Sequence, residues 1–168
     1  MKLKVKEITV FAMLGALIFA LKKVMEFAPN VHLVGVFIIA MTVVYRKKAL
    51  YPLYIYVFLD GLFGGFSTWW IPYLYIWTVL WGITMLLPKN INPKVAPIIY
   101  MIVCALHGFF FVSLYAPAQA LFFNLDLNGT IAWIIAGLPY DLIHGVSNFL
   151  CGILIVPIIN VLRKVNRN

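Results

Sequence analysis

Long apolar runs alternate with short connections, and nearly all the positive charge gathers at every second connection. Of 13 Lys and Arg residues, 11 fall in four clusters: Lys2, Lys4 and Lys6; Arg46, Lys47 and Lys48; Lys89 and Lys94; and Arg163, Lys164 and Arg167. Both ends of the chain carry a cluster. This is the positive-inside pattern of a polytopic membrane protein with an even number of crossings and cytoplasmic N- and C-termini. Apolar residues make up 64% of the chain and charged residues 11%, against roughly half and a quarter in soluble domains. A soluble core of 168 residues cannot hide that much apolar surface, so lipid must be part of the solvent. The net charge of +8 excludes a nucleic-acid binder, because the basic residues flank apolar runs instead of forming a stripe with interleaved polar groups. They suit anionic lipid headgroups.

The expected fold is an all-α integral membrane protein, one domain over residues 1–168. A crossing takes roughly 20 apolar residues. Six transmembrane helices are predicted at about residues 8–27, 31–45, 49–66, 70–87, 95–123 and 130–162. The second is short. The fifth is too long for one straight crossing, and Pro117 is expected to kink or end it. Gly137, Pro139 and Pro157 are expected to break the sixth. Outer connections fall at about 28–30, 67–69 and 124–129. Lys22 and Lys23 oppose the charge rule and are expected to snorkel outward. With Ala12, Ala16 and Ala20 inside the first apolar run and lysines directly after it, no cleavage site is evident, and the segment reads as a retained helix. Cys104 and Cys151 lie in apolar segments and read as small buried hydrophobes.

In this threading the outer half is rich in aromatic residues: Trp69, Trp70, Tyr73, Tyr75, Trp77, Tyr115 and Trp133. An interfacial belt explains some of them. Residues 69–77 hold five aromatics in nine positions, however, so some must point into the bundle, where they would grip a flat, largely apolar ligand. The polar candidates are few. Asp60 sits within the third run as either a binding or gating group or a helix-end group in water. On the sixth, Asp141, His144 and Asn148 share one face at i, i+3 and i+7, with Tyr140 beside them. Asp141 and His144 are spaced to hydrogen-bond each other, either to fix packing or to line a site. Tyr115 and Gln119 lie four apart near Pro117 and present a hydroxyl and an amide. His32 lines the pocket mouth or is solvated. His107 lies deeper and reads as a core histidine. Glycines near the outer connections suit loops that move on ligand entry, and residues 66–71 are expected to close over a ligand.

Ala12, Gly15, Ala16 and Ala20 share a face of the first helix, so a neighbouring backbone can approach closely. The neighbour is either another helix of this chain or a partner membrane protein. Short apolar runs, six in number, with both ends inside and an A-x-x-x-A pattern repeated at Ala12–Ala16 and Ala16–Ala20, resemble the substrate-binding S component of an energy-coupling factor (ECF) vitamin transporter. The stretches RKKALYP at 46–52, WWIPYLYIWTVLWG at 69–82, YAPAQAL at 115–121 and GLPYDLIHG at 137–145 are similar to cobalamin-specific S components of lactic-acid bacteria. The resemblance implies a multi-pass protein of the bacterial cell membrane that captures cobalamin or a related corrinoid from outside. It implies docking through the alanine face onto a transmembrane coupling subunit driven by two ATPases, which use the ATP. Other vitamins of the pantothenate, folate or queuosine type, and a stand-alone facilitator, are the alternatives. Aromatic packing alone can hold a corrin ring, and a cobalt ligand from His32 or His144 is the alternative; no permanently bound cofactor or metal is expected.

No HExxH, phosphate-cradling glycine loop or nucleophile elbow occurs, so an enzyme is not expected. A channel needs a polar path through both halves of the bilayer. The inner half here is apolar, with Leu14, Ile38, Ile83, Val103 and Ile155 at that depth.

Overall fold

The computed structural model describes residues 3–167, and within them the chain is helical without any strand; Lys2 of the first basic cluster lies outside the described residues. Helix α1 (Val5–Val24) starts where the Glu7 carboxylate accepts the Lys4 backbone N–H at 3.0 Å. It ends on Lys22 and Lys23, so each terminus carries the charge its dipole favours. Its buried face is Phe11, Leu14, Gly15 and Ile18, the i, i+3, i+4, i+7 stripe of a helix with one packed side. That side lies on α3.

Helix α2 (Val34–Tyr45) is buried almost all round and packs against α4, α5 and α8. Hydrophobicity on every face is what a central helix requires. It stops at Arg46, whose φ of 53° is left-handed and costly for a side chain with a Cβ. The Arg46 guanidinium is tied down by donating to the Met85 carbonyl at 2.8 Å. A single turn of 3₁₀ helix (Arg46–Ala49) leads into α3 (Leu50–Gly64). Gly65 leaves α3 with φ 87°, open to glycine at no steric cost.

Helix α4 (Tyr73–Leu86) follows, then α5 (Ala96–Phe109), α6 (Phe111–Phe123), α7 (Leu127–Cys151) and α8 (Ile155–Arg167). Asn124 caps α6 in the left-handed conformation, and Asp126 starts α7 by accepting the Gly129 N–H at 2.7 Å. Helices α5 and α7 form the most extensive pairing. A Cβ on Gly108 would lie 2.8 Å from the Gly145 backbone, so these two glycines let the backbones touch.

The proline expectations need correction. Pro117 lies inside α6 and Pro139 inside α7, and neither ends its helix. The break in the fifth run comes at Phe110, where α5 meets α6, and that in the sixth at the 3₁₀ turn Gly152–Leu154. Just past the first break, the Asp141 carboxylate accepts the Val112 N–H at 3.0 and 3.2 Å.

A helix lies on every predicted apolar run, yet among the described residues only two continuous helical stretches, Ala96–Phe123 and Leu127–Arg167, each with its internal break, are long and apolar enough to cross a membrane. Helices α2, α3 and α4 have 12, 15 and 14 residues. At 1.5 Å per residue they span about 18–22 Å, short of a hydrocarbon core about 30 Å thick. Helix length therefore does not carry six crossings.

The interior is apolar, but so is much of the exterior, and several ionisable or amide side chains are buried. Phe63, Leu121, Leu142 and Ile153 are each at least 60% exposed, whereas Asp60, Asp141, His144 and Asn148 are at most 3% exposed. Large apolar side chains point outward along α1, α3, α5, α6, α7 and α8. Water-soluble monomers rarely tolerate such continuous apolar surface.

Candidate functional site

The two ends of the bundle differ. Basic residues from all four clusters meet at one end: Lys4, Lys6, Lys48 and Arg167 border one cavity, Arg46 and Lys89 a second, and Lys89 and Arg163 a third. Aromatic and histidine rings crowd the other end. Between them Leu14, Ile38 and Ile155 are buried, and the hydroxyls of Thr42 and Thr84 donate to their own helix at Ile38 and Leu80. No polar path joins the ends among these groups.

At the aromatic end a cavity of about 200 Å³ lies beneath the α1–α2 connection. Its walls include Lys22, Glu26, Asn30, His32, Tyr73, Phe111 and His144. The connection is held over α7 by the Ser147 hydroxyl, which donates to the Asn30 carbonyl at 2.8 Å. His32 stands edge-on to His144, ring centroids 4.8 Å apart, and to Trp77 at 5.8 Å. Phe111 contacts His144, His107 and Trp77 with centroids at 4.9, 5.9 and 5.6 Å. Tyr73 adds an edge to Trp77 at 5.8 Å. Such edge-to-face and tilted ring pairs each add about 0.5–1.5 kcal/mol beyond area burial, so the cluster holds itself in shape.

Several buried polar atoms of this cluster have no hydrogen-bond partner: Nδ1 of His32, Nδ1 and Nε2 of His144, Nδ1 of His107, Nε1 of Trp77 and the Tyr56 hydroxyl. Buried polar groups are nearly always paired, and orphans concentrate where a ligand or solvent completes them. The arrangement offers rings to grip a planar apolar body and imidazole and indole nitrogens to meet polar atoms on its edge.

Lys22 is the largest correction. It does not snorkel outward: its ammonium donates to both carboxylate oxygens of Asp60, at 2.6 and 2.8 Å. It also lies 5.3 Å from the Tyr73 ring centroid and 5.9 Å from that of Trp69. The carboxylate and ring faces replace the water lost on burial. Asp60 is thus neither solvated nor a lone charge.

Other expected site residues divide. Tyr73, Trp77, His32 and His144 come together as described. His107 is buried, with Nε2 3.1 Å from the Ile76 carbonyl, yet its ring faces Trp77 at 5.3 Å, so it belongs to the cluster it was expected to lie below. Asp141 does not bond His144; α7 turns it toward the Val112 N–H instead. Trp70 points away, donating to the Val57 carbonyl at 2.7 Å. Trp69 accepts the Tyr115 hydroxyl on its carbonyl at 2.8 Å, which ties residues 65–72 to α6. Gln119 does not border the cavity. Tyr140 is exposed and borders a separate groove of about 380 Å³ with Tyr115, Trp133 and Phe111. Phe111 and Asn30 border both spaces. Phe111 was not singled out in the sequence, although it lies four before Tyr115 on one helix face.

The small-residue stripe splits. Gly15 faces inward, where a Cβ would lie 2.5 Å from Ile55, so it serves α1–α3 contact. Ala12, Ala16 and Ala20 are exposed, and among the described residues no helix covers them. Among the described residues no three His, Cys, Asp or Glu side chains are grouped to hold a metal ion, and both cysteines are free. Comparison with protein-family models, curated proteins and solved structures finds no match to this chain.

Proposed function

We propose that the protein is the substrate-binding membrane subunit, the S component, of an ECF-type importer. In this proposal it crosses the bilayer six times, with the basic end in the cytoplasm and the aromatic end outside. Short helices α2–α4 then sit where the rest of the bundle shields their ends, or where the bilayer thins locally. The single observation that carries the assignment is the cavity at the end remote from the basic clusters, walled by rings and by histidine nitrogens without partners. A site reached from one side and sealed by apolar packing below suits capture better than conduction. The exposed row Ala12, Ala16 and Ala20 supports docking on a transmembrane coupling subunit, with ATP hydrolysed by its two ATPases.

The solute in this proposal is cobalamin or a related corrinoid. Drug-sized ligands already require roughly 300–1,000 Å³, more than the 200 Å³ beneath His32. A corrinoid therefore needs the α1–α2 connection and residues 65–72 to part, and Phe111 to swing so that the cavity joins the groove beside Tyr140. His144, with both ring nitrogens unpartnered, is the side chain best placed to meet cobalt. The cavity volume favours a second reading, an S component for a smaller vitamin.

The test is a retention screen on detergent-purified protein with cobalamin, pantothenate, folate and queuosine-type compounds, followed by uptake in liposomes with and without the coupling subunit and ATPases. One vitamin retained at 1:1 and moved only with ATPases is the expected result, and Ala16→Trp should keep retention but abolish uptake. Retention of none, or transport by the chain alone, overturns the assignment. Corrinoid binding should also slow proteolysis within residues 66–71; equal cleavage with and without cobalamin would exclude closure of that connection.

A further inference from the structure

We infer that the cavity between the start of α1 and the ends of α2 and α8 is a binding site for the phosphate headgroup of an anionic phospholipid. It has a volume of about 380 Å³ and is bordered by Lys4, Lys6, Lys48 and Arg167 with a single carboxylate, Glu7. That carboxylate is already engaged: it accepts the Lys48 ammonium and the Lys4 backbone N–H. The Lys6 ammonium donates to the Val165 carbonyl at 2.6 Å, an exposed link between α1 and α8 at the cavity's edge. Lys4 and Arg167 have no carboxylate partner among the described residues. The cavity therefore carries a surplus of positive charge.

A second observation is independent of charge. Tyr45 borders the same cavity, is 9% exposed, and its hydroxyl has no partner. The ring is held edge-on to Phe11 at 5.1 Å, so the hydroxyl cannot turn out to water without breaking that packing. A phosphate oxygen supplies the acceptor a buried phenol lacks, and a hydrogen bond to a charged acceptor is among the stronger kinds. A lipid fits better than a soluble phosphate because Val10 and Phe11 form one wall and exposed Val5 and Ile8 continue it along α1. Acyl chains would lie over that apolar face while the headgroup sits among the cations.

This inference rests on the proposed membrane placement, but not on the solute or the coupling module. The test uses the full chain, delipidated in detergent, with native mass spectrometry and thermal unfolding. The probes are phosphatidylglycerol, phosphatidylcholine and inorganic phosphate. Phosphatidylglycerol should be retained at least about tenfold more tightly than phosphatidylcholine and should raise the unfolding temperature. Tyr45→Phe keeps the ring and should lower retention about tenfold. The pair Lys6→Gln with Arg167→Gln should lower it by about fivefold for each cation. Lys94→Gln with Lys164→Gln removes equal charge outside the cavity and should change little. Equal retention of both lipids, or equal loss in the two charge pairs, would overturn the site. Stabilisation by inorganic phosphate alone, with nothing added by the lipid, would assign the cavity to a soluble phosphate compound and overturn the lipid. A chain that retains the lipid but no vitamin would leave this site standing and remove the transport proposal; the reverse result would do the opposite.

Discussion

Each end of the bundle holds an ion pair made by α1, and the two are built differently. At the aromatic end Lys22 meets an Asp60 that is 1% exposed. At the basic end Lys48 meets Glu7 with both side chains partly open. The first pair has exchanged water for a carboxylate and two ring faces. The second stays wet, and several other cations surround it. The contrast teaches that lysine at a helix end is not one kind of residue. Where aromatic rings and a carboxylate lie within reach it turns inward, and where neighbours are cations it remains at the rim.

The sharpest way to break this contrast is Asp60→Ala. It strands the Lys22 ammonium in a buried site and should cost about 3–5 kcal/mol, read by denaturant unfolding in detergent. Adding Lys22→Met should recover most of the loss; a double variant as unstable as the single one would mean Asp60 acts through something other than the pair. A smaller effect is expected at the helix junction. Asp141→Leu leaves the Val112 N–H without an acceptor and should cost about 1–3 kcal/mol, with faster amide exchange at Val112 as the local readout.

At the basic end the pH dependence is the finer measure. The Lys48 ammonium, and next the Lys4 N–H, hold the Glu7 carboxyl below the usual glutamate range. A carboxyl whose pKa is lowered in the folded state stabilises at pH above its unfolded value. That stabilisation is lost as pH falls through the folded value. Acidification from pH 6 should therefore lower the unfolding temperature of the native chain slightly more than that of Glu7→Gln; parallel curves would show that the pair contributes nothing. The smallest expected loss is at Tyr56, whose hydroxyl is buried without a partner. Tyr56→Phe removes that unsatisfied group and should leave stability unchanged or raise it by up to about 1 kcal/mol, while lowering the affinity of any ligand that hydrogen-bonds there.

The all-helical fold and the apolar exterior were legible because charge clusters and long apolar runs directly reflect the solvent a chain needs. Trp77, Tyr73, His32 and His144 were legible because too many rings and too few polar groups leave little choice about where they go. Lys22 was not. Its position in sequence says only that it lies near a helix end; that Asp60 lies 2.6 Å away follows from how α1 and α3 cross. Asp141 misled for a similar reason. A spacing of three places it on the face shared with His144, but the break at Phe110 exposes a backbone N–H that competes more strongly. Phe111 and His107 sit in an otherwise ordinary apolar run; that their rings join the cluster follows from how α5 and α6 pack against α4 and α7. The outward aspect of Ala12, Ala16 and Ala20, against the inward one of Gly15, needed the neighbour α3 to be placed.

The carboxylate of Asp141 stitches the first turn of α6 to the middle of α7. Phe111, next to the stitched residue, has its backbone held by that bond, so its ring moves by side-chain rotation and not by displacement of the helix. Because α7 is in turn clamped to α5 through Gly108 and Gly145, the three helices form one frame, and a ring beside the chamber yields by rotating on that frame.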